Sequence, residues 1–246
     1  MSKESVASVY CEADAVLKLY TELAQRPDKD FGWGKGKENA RVLGYEARWL
    51  DTLPDVLWES SSAVGNPFSA GPLQPGDLVL DLGCGAGADA CIAALTVGEK
   101  GRVIGVDVTP AMIEKAKHVA AVAGLSNVTF HVCDMVHVPV RDASIDVVIS
   151  NGSINLTAHK PCVFQEAYRV LKPGGRLQFA DMVRTLPVAP DDCASWANCV
   201  AGTVEPESYL EMLRKAGFEQ AELVAFTGYK TAAMTTGAIF RADKPG

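Results

Sequence analysis

Apolar side chains recur every three to four positions early in the chain, at Val16, Leu19, Tyr20 and Leu23 and again at Tyr45, Trp49 and Leu50. That spacing predicts amphipathic helices. The stretch Phe31-Gly32-Trp33-Gly34-Lys35-Gly36 interrupts them and predicts irregular backbone, and Gly65-Asn66-Pro67-Phe68 predicts a turn. From Gly76 the pattern changes to short, mainly apolar runs at 78–82, 103–108, 128–132, 145–149 and 177–180, separated by helical stretches. Two further strand-like runs follow at 221–226 and 236–241. Such runs are the mark of strands buried on both faces, and helices between them imply parallel units with right-handed crossovers.

The boundary residues agree with this pattern. Thr109-Pro110 places a capping residue before a proline at the first helical position, and Gly124 stands where that helix should stop. Lys172-Pro173-Gly174-Gly175 predicts a sharp helix-to-strand turn, and Pro206 and Gly217 bracket a late helix. The expected fold is α/β, a doubly wound, mostly parallel seven-stranded sheet. A helical cover is expected over 1–75, the main domain over 76–246, and a substrate-side insertion over 183–205, after the fifth strand.

Composition narrows the partners. The 246 residues include 23 Lys+Arg and 30 Asp+Glu, a net charge of -7. No basic stripe accompanies that balance, which argues against holding nucleic acid or an anionic membrane surface. The first residues lack a secretory pattern and no apolar stretch reaches membrane-spanning length, so a cytoplasmic protein is expected. Seven cysteines, an odd number, argue for free thiols in a reducing compartment. The sequence is compatible with a monomer and does not fix an oligomeric state.

The segment Val79-Leu80-Asp81-Leu82-Gly83-Cys84-Gly85-Ala86-Gly87 runs from a strand into a glycine-rich turn and then a helix. Such a turn lets a ligand approach the backbone, and the helix N-terminus offers free N–H groups. The spacing is D-x-G-x-G-x-G, and Ala88 stands where a dinucleotide fingerprint needs glycine. Asp81 would repel a pyrophosphate but can accept from an ammonium, so the ligand should carry an amino-acid head. Asp107, ending the second strand, suits a pair of ribose hydroxyls. Cys133-Asp134-Met135 ends the third strand with an acceptor between residues suited to an adenine, and Asn151 ends the fourth. An adenosine with a methionine head is S-adenosylmethionine, the cofactor expected here. No metal site is expected; Asp191-Asp192 reads as a solvated turn.

DLGCGAG, GVDVTP, CDM and RVLKPGGR occur in that order, and with them the chain resembles the class I, Rossmann-like S-adenosylmethionine-dependent methyltransferases. The resemblance implies that Asp81, Gly83, Gly85 and Gly87 hold the methionine portion. It sets Asp107 on the ribose, Val108 and Met112 beside the adenine, and Asp134 on the adenine amine. Over 60–242 the stretches ISNGSINL, WANCVAGTVEPESYLEMLRKAGF and FTGYKT are similar to arsenite methyltransferases and their thiol-methylating relatives. Those enzymes bind arsenic through thiolates. In this chain the cysteine of a GCGNP-like turn is replaced in Ala63-Val64-Gly65-Asn66-Pro67, and that of SNCVINL is Gly152, while Cys199 keeps its place.

Cys193 and Cys162 are the other possible sources of a second thiolate for arsenite. FGWGKGKENAR followed by SSAVGNPF is similar instead to gliotoxin-type dithiol S-methyltransferases, whose substrate brings its own sulfur. The resemblance therefore implies a small-molecule thiol as methyl acceptor, with roles in detoxification or secondary metabolism. Arsenite methylation, carbon or oxygen methylation, and a cofactor-binding module without turnover are the alternatives. Phe31, Trp33, Trp196 and Cys199 are the candidate substrate residues. Displacement on a sulfonium carbon by a thiolate requires no dedicated base, and His131 and His159 are expected in surface or structural roles.

Overall fold

The computed structural model describes residues 3–186 and 201–246, with residues 3–12 as backbone alone. Its strands are β1 (Leu78–Leu82), β2 (Arg102–Asp107), β3 (Val128–Val132), β4 (Ile145–Asn151), β5 (Leu171–Arg184), β6 (Glu219–Phe226) and β7 (Thr235–Asp243). They form one sheet in the order β3-β2-β1-β4-β5-β7-β6, parallel from β3 to β5 and antiparallel where β7 meets β5 and β6. The chain builds outward from β1 through β2 to β3, then returns to place β4 on the other side of β1. Ligands of open α/β sheets bind at such a reversal, beyond the carboxyl ends of the strands.

Alternation along the buried strands sorts side chains to two faces. Val79, Val147 and Ile149 join a core cluster with helices α5 (Ala88–Val97) and α6 (Pro110–Val122). Leu80, Leu82 and Val148 join another with α7 (Lys160–Val170) and the helix Pro206–Ala216, α8 among the described residues. The second holds stacked Phe179 and Phe240, with ring centroids 5.0 Å apart.

The cover consists of α1 (Lys3–Gln25), α2 (Gly36–Val42), α3 (Ala47–Thr52), α4 (Asp55–Trp58) and a 3-10 turn at Pro67–Ala70. Its Tyr45, Trp49, Trp58 and Phe68 lie in the same cluster as Val79 and Ile92, so cover and sheet share one core. Gly36, read as part of an irregular loop, is the first residue of α2.

Three boundaries differ from the sequence reading. Lys172-Pro173-Gly174-Gly175 lies inside β5 as a bulge: Ile145 pairs with Leu171, but Val147 pairs with Arg176. Thr109 occupies the capping position before Pro110, yet its side chain makes no cap bond. The fifth strand runs beyond Ala180 to Arg184, because β7 pairs with it along that whole length. The expected insertion at 183–205 thus begins inside β5. Residues 187–200, including Asp191, Asp192, Cys193, Trp196 and Cys199, lie outside the described residues. Gly124 and Gly217 end α6 and α8 in left-handed backbone, as their placement predicts.

Candidate functional site

The turn after β1 is held in shape by β2. Cys84 N donates to Val106 O at 2.9 Å, and Gly85 N donates to Asp107 Oδ2 at 2.9 Å. The other carboxylate oxygen of Asp107 accepts from Thr109 N at 2.8 Å, fixing the entry to α6. Burial pushes the Asp107 carboxyl up, against those two N–H bonds. Gly83, at φ +69°, is needed because a Cβ there would lie 2.3 Å from Ser153 Oγ. Gly85, at φ +51°, has open space where its Cβ would be.

Asp81 is 1% exposed, and its Oδ2 is buried without a hydrogen-bond partner. Burial pushes this carboxyl well above the usual range, with the charges of Asp89 and Asp107 adding to the shift. An unmet buried acceptor of this kind is costly unless a donor reaches it. It borders a cavity of about 340 Å³, a volume within the ordinary range of small-molecule sites.

The cavity lies at the sheet's reversal point. Val16, Leu17 and Tyr20 of α1 roof it, and Ser60 to Ala63 form a wall from the cover. Val108, Met112, Asp134 and Met135 border it beyond β2 and β3. Asn151 at the end of β4 and Gly152 and Ser153 just beyond it are followed by Leu156 to His159.

Of the sequence-predicted residues, Asp81, Gly83, Gly85, Asp107, Val108, Met112, Asp134, Met135 and Asn151 meet around this one cavity. Gly87 stands behind it, capping α5, where a Cβ would lie 3.0 Å from Ala116 and Phe130. Cys133 also lies off the cavity, its thiol donating to His137 O at 3.0 Å. Phe31 and Trp33 do not line the cavity; their rings pair at 5.3 Å, and Phe31 packs on the Leu23, Ala86 and Met112 cluster. His159, expected in a surface or structural role, is exposed and also borders the cavity at the N-terminus of α7.

The Asn151 side chain is committed to a network absent from the sequence reading. Its Nδ2 donates to Asp89 Oδ2, Tyr45 OH and Gly65 O, each at 2.9 Å, while Val64 N donates to its Oδ1 at 3.0 Å. Tyr45 OH donates to Asp89 Oδ1 at 2.7 Å. Burial raises the Asp89 carboxyl to about 6, against these two donors. The signal for Asp89 was its position in the first turn of α5, where a carboxylate faces the positive end of the helix dipole.

Cys84 also borders the cavity, but its sulfur sits beside β2: a Cβ on Gly105 would lie 3.0 Å from it. Burial pushes this thiol well above its ordinary range. Val64 and Gly152, both read from the sequence as cysteine replacements, are neighbours. A Cβ on Gly152 would lie 3.1 Å from Val64 Cγ1.

Comparison with known proteins gives the family and the fold. A family described as Methyltransferase domain matches residues 73–217. An arsenite methyltransferase of Halobacterium salinarum is 44% identical over 184 residues, covering 74% of this chain and 47% of that protein. The structure of an arsenic(III) S-adenosylmethionine methyltransferase from Chlamydomonas reinhardtii has a TM-score of 0.59 at 29% identity, covering 87% of this chain and 74% of that one. A Haemonchus contortus phosphoethanolamine N-methyltransferase, in complex with S-adenosylhomocysteine, shares the fold with a TM-score of 0.64 at 21% identity, over 73% of this chain and 51% of that one. The chain spans about half the length of the curated relatives it matches. No helix among the described residues is long and apolar enough to cross a membrane.

Proposed function

The chain belongs to the methyltransferase domain family and uses S-adenosylmethionine, and from that premise we propose that it methylates a thiol of a small molecule. The observation that carries the acceptor class is that Val64, buried in an apolar cluster behind the cavity, and Gly152, on the cavity wall, stand side by side. At these two positions the arsenite-methylating pattern would supply sulfur, and this chain supplies an isopropyl group and a hydrogen atom. The cavity wall here is small and uncharged, with Ser62, Ala63, Gly152 and Ser153. Such a wall suits an acceptor that carries its own sulfur.

The residues present fit the cofactor. The unpartnered Asp81 Oδ2 suits the ammonium of a methionine head, and the Asp107 carboxylate, bordering the cavity, is an acceptor suited to the ribose hydroxyls. Met112 and Met135 offer apolar contact to an adenine, and Asp134 offers an acceptor to its amine. When bound, S-adenosylmethionine supplies an electrophilic methyl carbon on a sulfonium. The protein's part is then positioning and exclusion of water, served by the α1 roof. His159, on the cavity wall, is a group able to accept the thiol's proton.

A second reading, arsenite methylation through Cys199 and another thiol, is favoured by the 44% identity to the Halobacterium enzyme. One experiment separates the two. The purified protein is given methyl-labelled cofactor with either a panel of reduced dithiols or arsenite plus glutathione. Label in the dithiols supports thiol methylation. Unlabelled dithiols alongside methylarsenicals that vanish in Cys199→Ser would establish the second reading.

A further inference from the structure

Six residues of the cavity wall, Gly152, Ser153 and Leu156 to His159, come from the single loop between β4 and α7. This loop is the β4 side of the cavity, away from Val108, Met112 and Asp134, which the proposed reading gives to the adenosine. On that reading, with Ser153 packed against Gly83 of the methionine turn, the part of the loop from Leu156 to His159 is the wall left for the acceptor.

Beneath it lie two charged side chains that do not border the cavity. Asp181 of β5 is fully buried and Lys160, at the start of α7, is 4% exposed. Asp181 Oδ2 accepts from Asn155 N at 2.8 Å and from Tyr209 OH at 3.2 Å, and its Oδ1 accepts from Met182 N at 2.7 Å. With its amide nitrogen turned to the carboxylate, Asn155 also donates to Asp181 Oδ1 at 2.6 Å and to Gly152 O at 3.3 Å. From the other side, Lys160 Nζ donates to Asn155 O at 3.2 Å and Thr157 O at 2.7 Å. Asn155, itself fully buried, is thus held through its N–H by the carboxylate and through its carbonyl by the ammonium.

We propose that Asp181 and Lys160 are positioning residues for the methyl acceptor, a buried anion and cation that together clamp the Gly152–His159 loop in the one shape that forms the acceptor wall. The 3-10 turn Ile154–Leu156 closes two backbone bonds of its own, Leu156 N to Ser153 O at 3.1 Å and Thr157 N to Ile154 O at 3.3 Å, and such short turns are weakly held by themselves. Buried charges are a costly means of packing, and groups left partly unmet destabilise more than apolar residues of the same size would. Their use here is explained by directional bonds to one loop. Burial pushes the Asp181 carboxyl up, while the Met182 N–H, the Lys160 charge and the remaining donors draw it down.

The test compares Asp181→Asn, Lys160→Met and Lys160→Arg in the full chain. The first readout is amide hydrogen exchange, which needs no acceptor. Exchange over 152–160 should quicken by about tenfold or more in Asp181→Asn and Lys160→Met, while 83–89 keeps its protection. The affinity for S-adenosylhomocysteine should stay within about twofold of the parent, and KM for dithiothreitol should rise by about tenfold. Lys160→Arg, which keeps the charge, should restore part of the loop's protection. If Asp181→Asn does not fold, Lys160→Met, which keeps the buried stem, carries the test. Unchanged exchange over 152–160 overturns the proposal, as does a loss of S-adenosylhomocysteine affinity in step with loop order. A protein that methylates no thiol but shows the loop effect would instead overturn the thiol reading alone.

Discussion

Asn151 Nδ2 donates a 2.9 Å hydrogen bond to Asp89 Oδ2, joining the end of β4 to the first turn of α5 at the edge of the cavity. Tyr45 completes the arrangement from the cover, donating to the other oxygen of Asp89 at 2.7 Å. The cover is therefore fastened to the cavity side of the sheet by a buried polar network, in addition to the apolar cluster that Tyr45 shares with Trp49 and Trp58.

Tyr45→Phe removes one donor from a buried carboxylate and leaves the ring in place. Stability should fall by about 1–3 kcal/mol, as for other buried groups left unmet. Urea unfolding measures it, and an unchanged midpoint would mean that the network does not hold the cover.

Asp81→Asn keeps the shape of the site and removes the charge intended for an ammonium. Affinity for S-adenosylhomocysteine should fall by about tenfold or more, in keeping with hydrogen bonds to charged groups. The ligand-free protein should be no less stable at pH 7, because a buried charge has been removed. Calorimetric titration and thermal unfolding read the two effects, and retained affinity with lowered stability would contradict the assignment.

The pH dependence follows from the same carboxylates. Asp89 titrates at about 6 in the folded chain against an ordinary 3.8, so the folded state binds that proton more tightly than the unfolded state. Its contribution is fully present below pH 3.8 and is lost as pH rises through 6, a change of about 3 kcal/mol. Asp89→Asn should flatten this part of the ligand-free stability profile. Binding of a cation beside Asp81 favours its ionised form, so S-adenosylhomocysteine should bind more tightly at pH 7 than at pH 5. An affinity that falls over that interval would count against the ammonium site.

Two glycines of the turn should respond differently. A methyl group on Gly83 would collide with Ser153, whereas one on Gly85 has room in the protein but enters the cavity. Gly83→Ala should lose more stability than Gly85→Ala, where left-handed backbone alone costs about 1 kcal/mol. Both should lose cofactor affinity, and equal melting temperatures would contradict the contact with Ser153.

That Asp81, Asp107, Asp134 and Asn151 would gather around one cavity was legible in the sequence because each stands at or just beyond the end of a strand, and strands buried on both faces announce themselves as apolar runs. Asp81 and Asp107 needed only that register, while Asp134 follows β3, an edge strand with Thr129 and His131 among its apolar residues. The Tyr45–Asp89–Asn151 network was not legible, since its partners are 44, 62 and 106 residues apart and meet only through packing of the cover. Asp181 was hidden for another reason: the apolar run stops at Ala180, while the strand continues through a carboxylate whose bonds are met by Asn155, Met182 and Tyr209. Phe31 and Trp33 have the composition of a binding loop, but their rings pair with each other, Phe31 packs on the cluster at the end of α1, and neither lines the cavity.

The central claim, that the methyl group goes to a sulfur atom of a small molecule, is tested most directly by locating the transferred carbon. The full chain is incubated with isotopically methyl-labelled S-adenosylmethionine and a reduced dithiol, and the product is examined by NMR and mass spectrometry alongside a count of remaining free thiols. The account predicts label in an S–CH3 group and a matching loss of free thiol. Free thiols left intact, with the label on oxygen, nitrogen, carbon or arsenic of a competing acceptor, would contradict it.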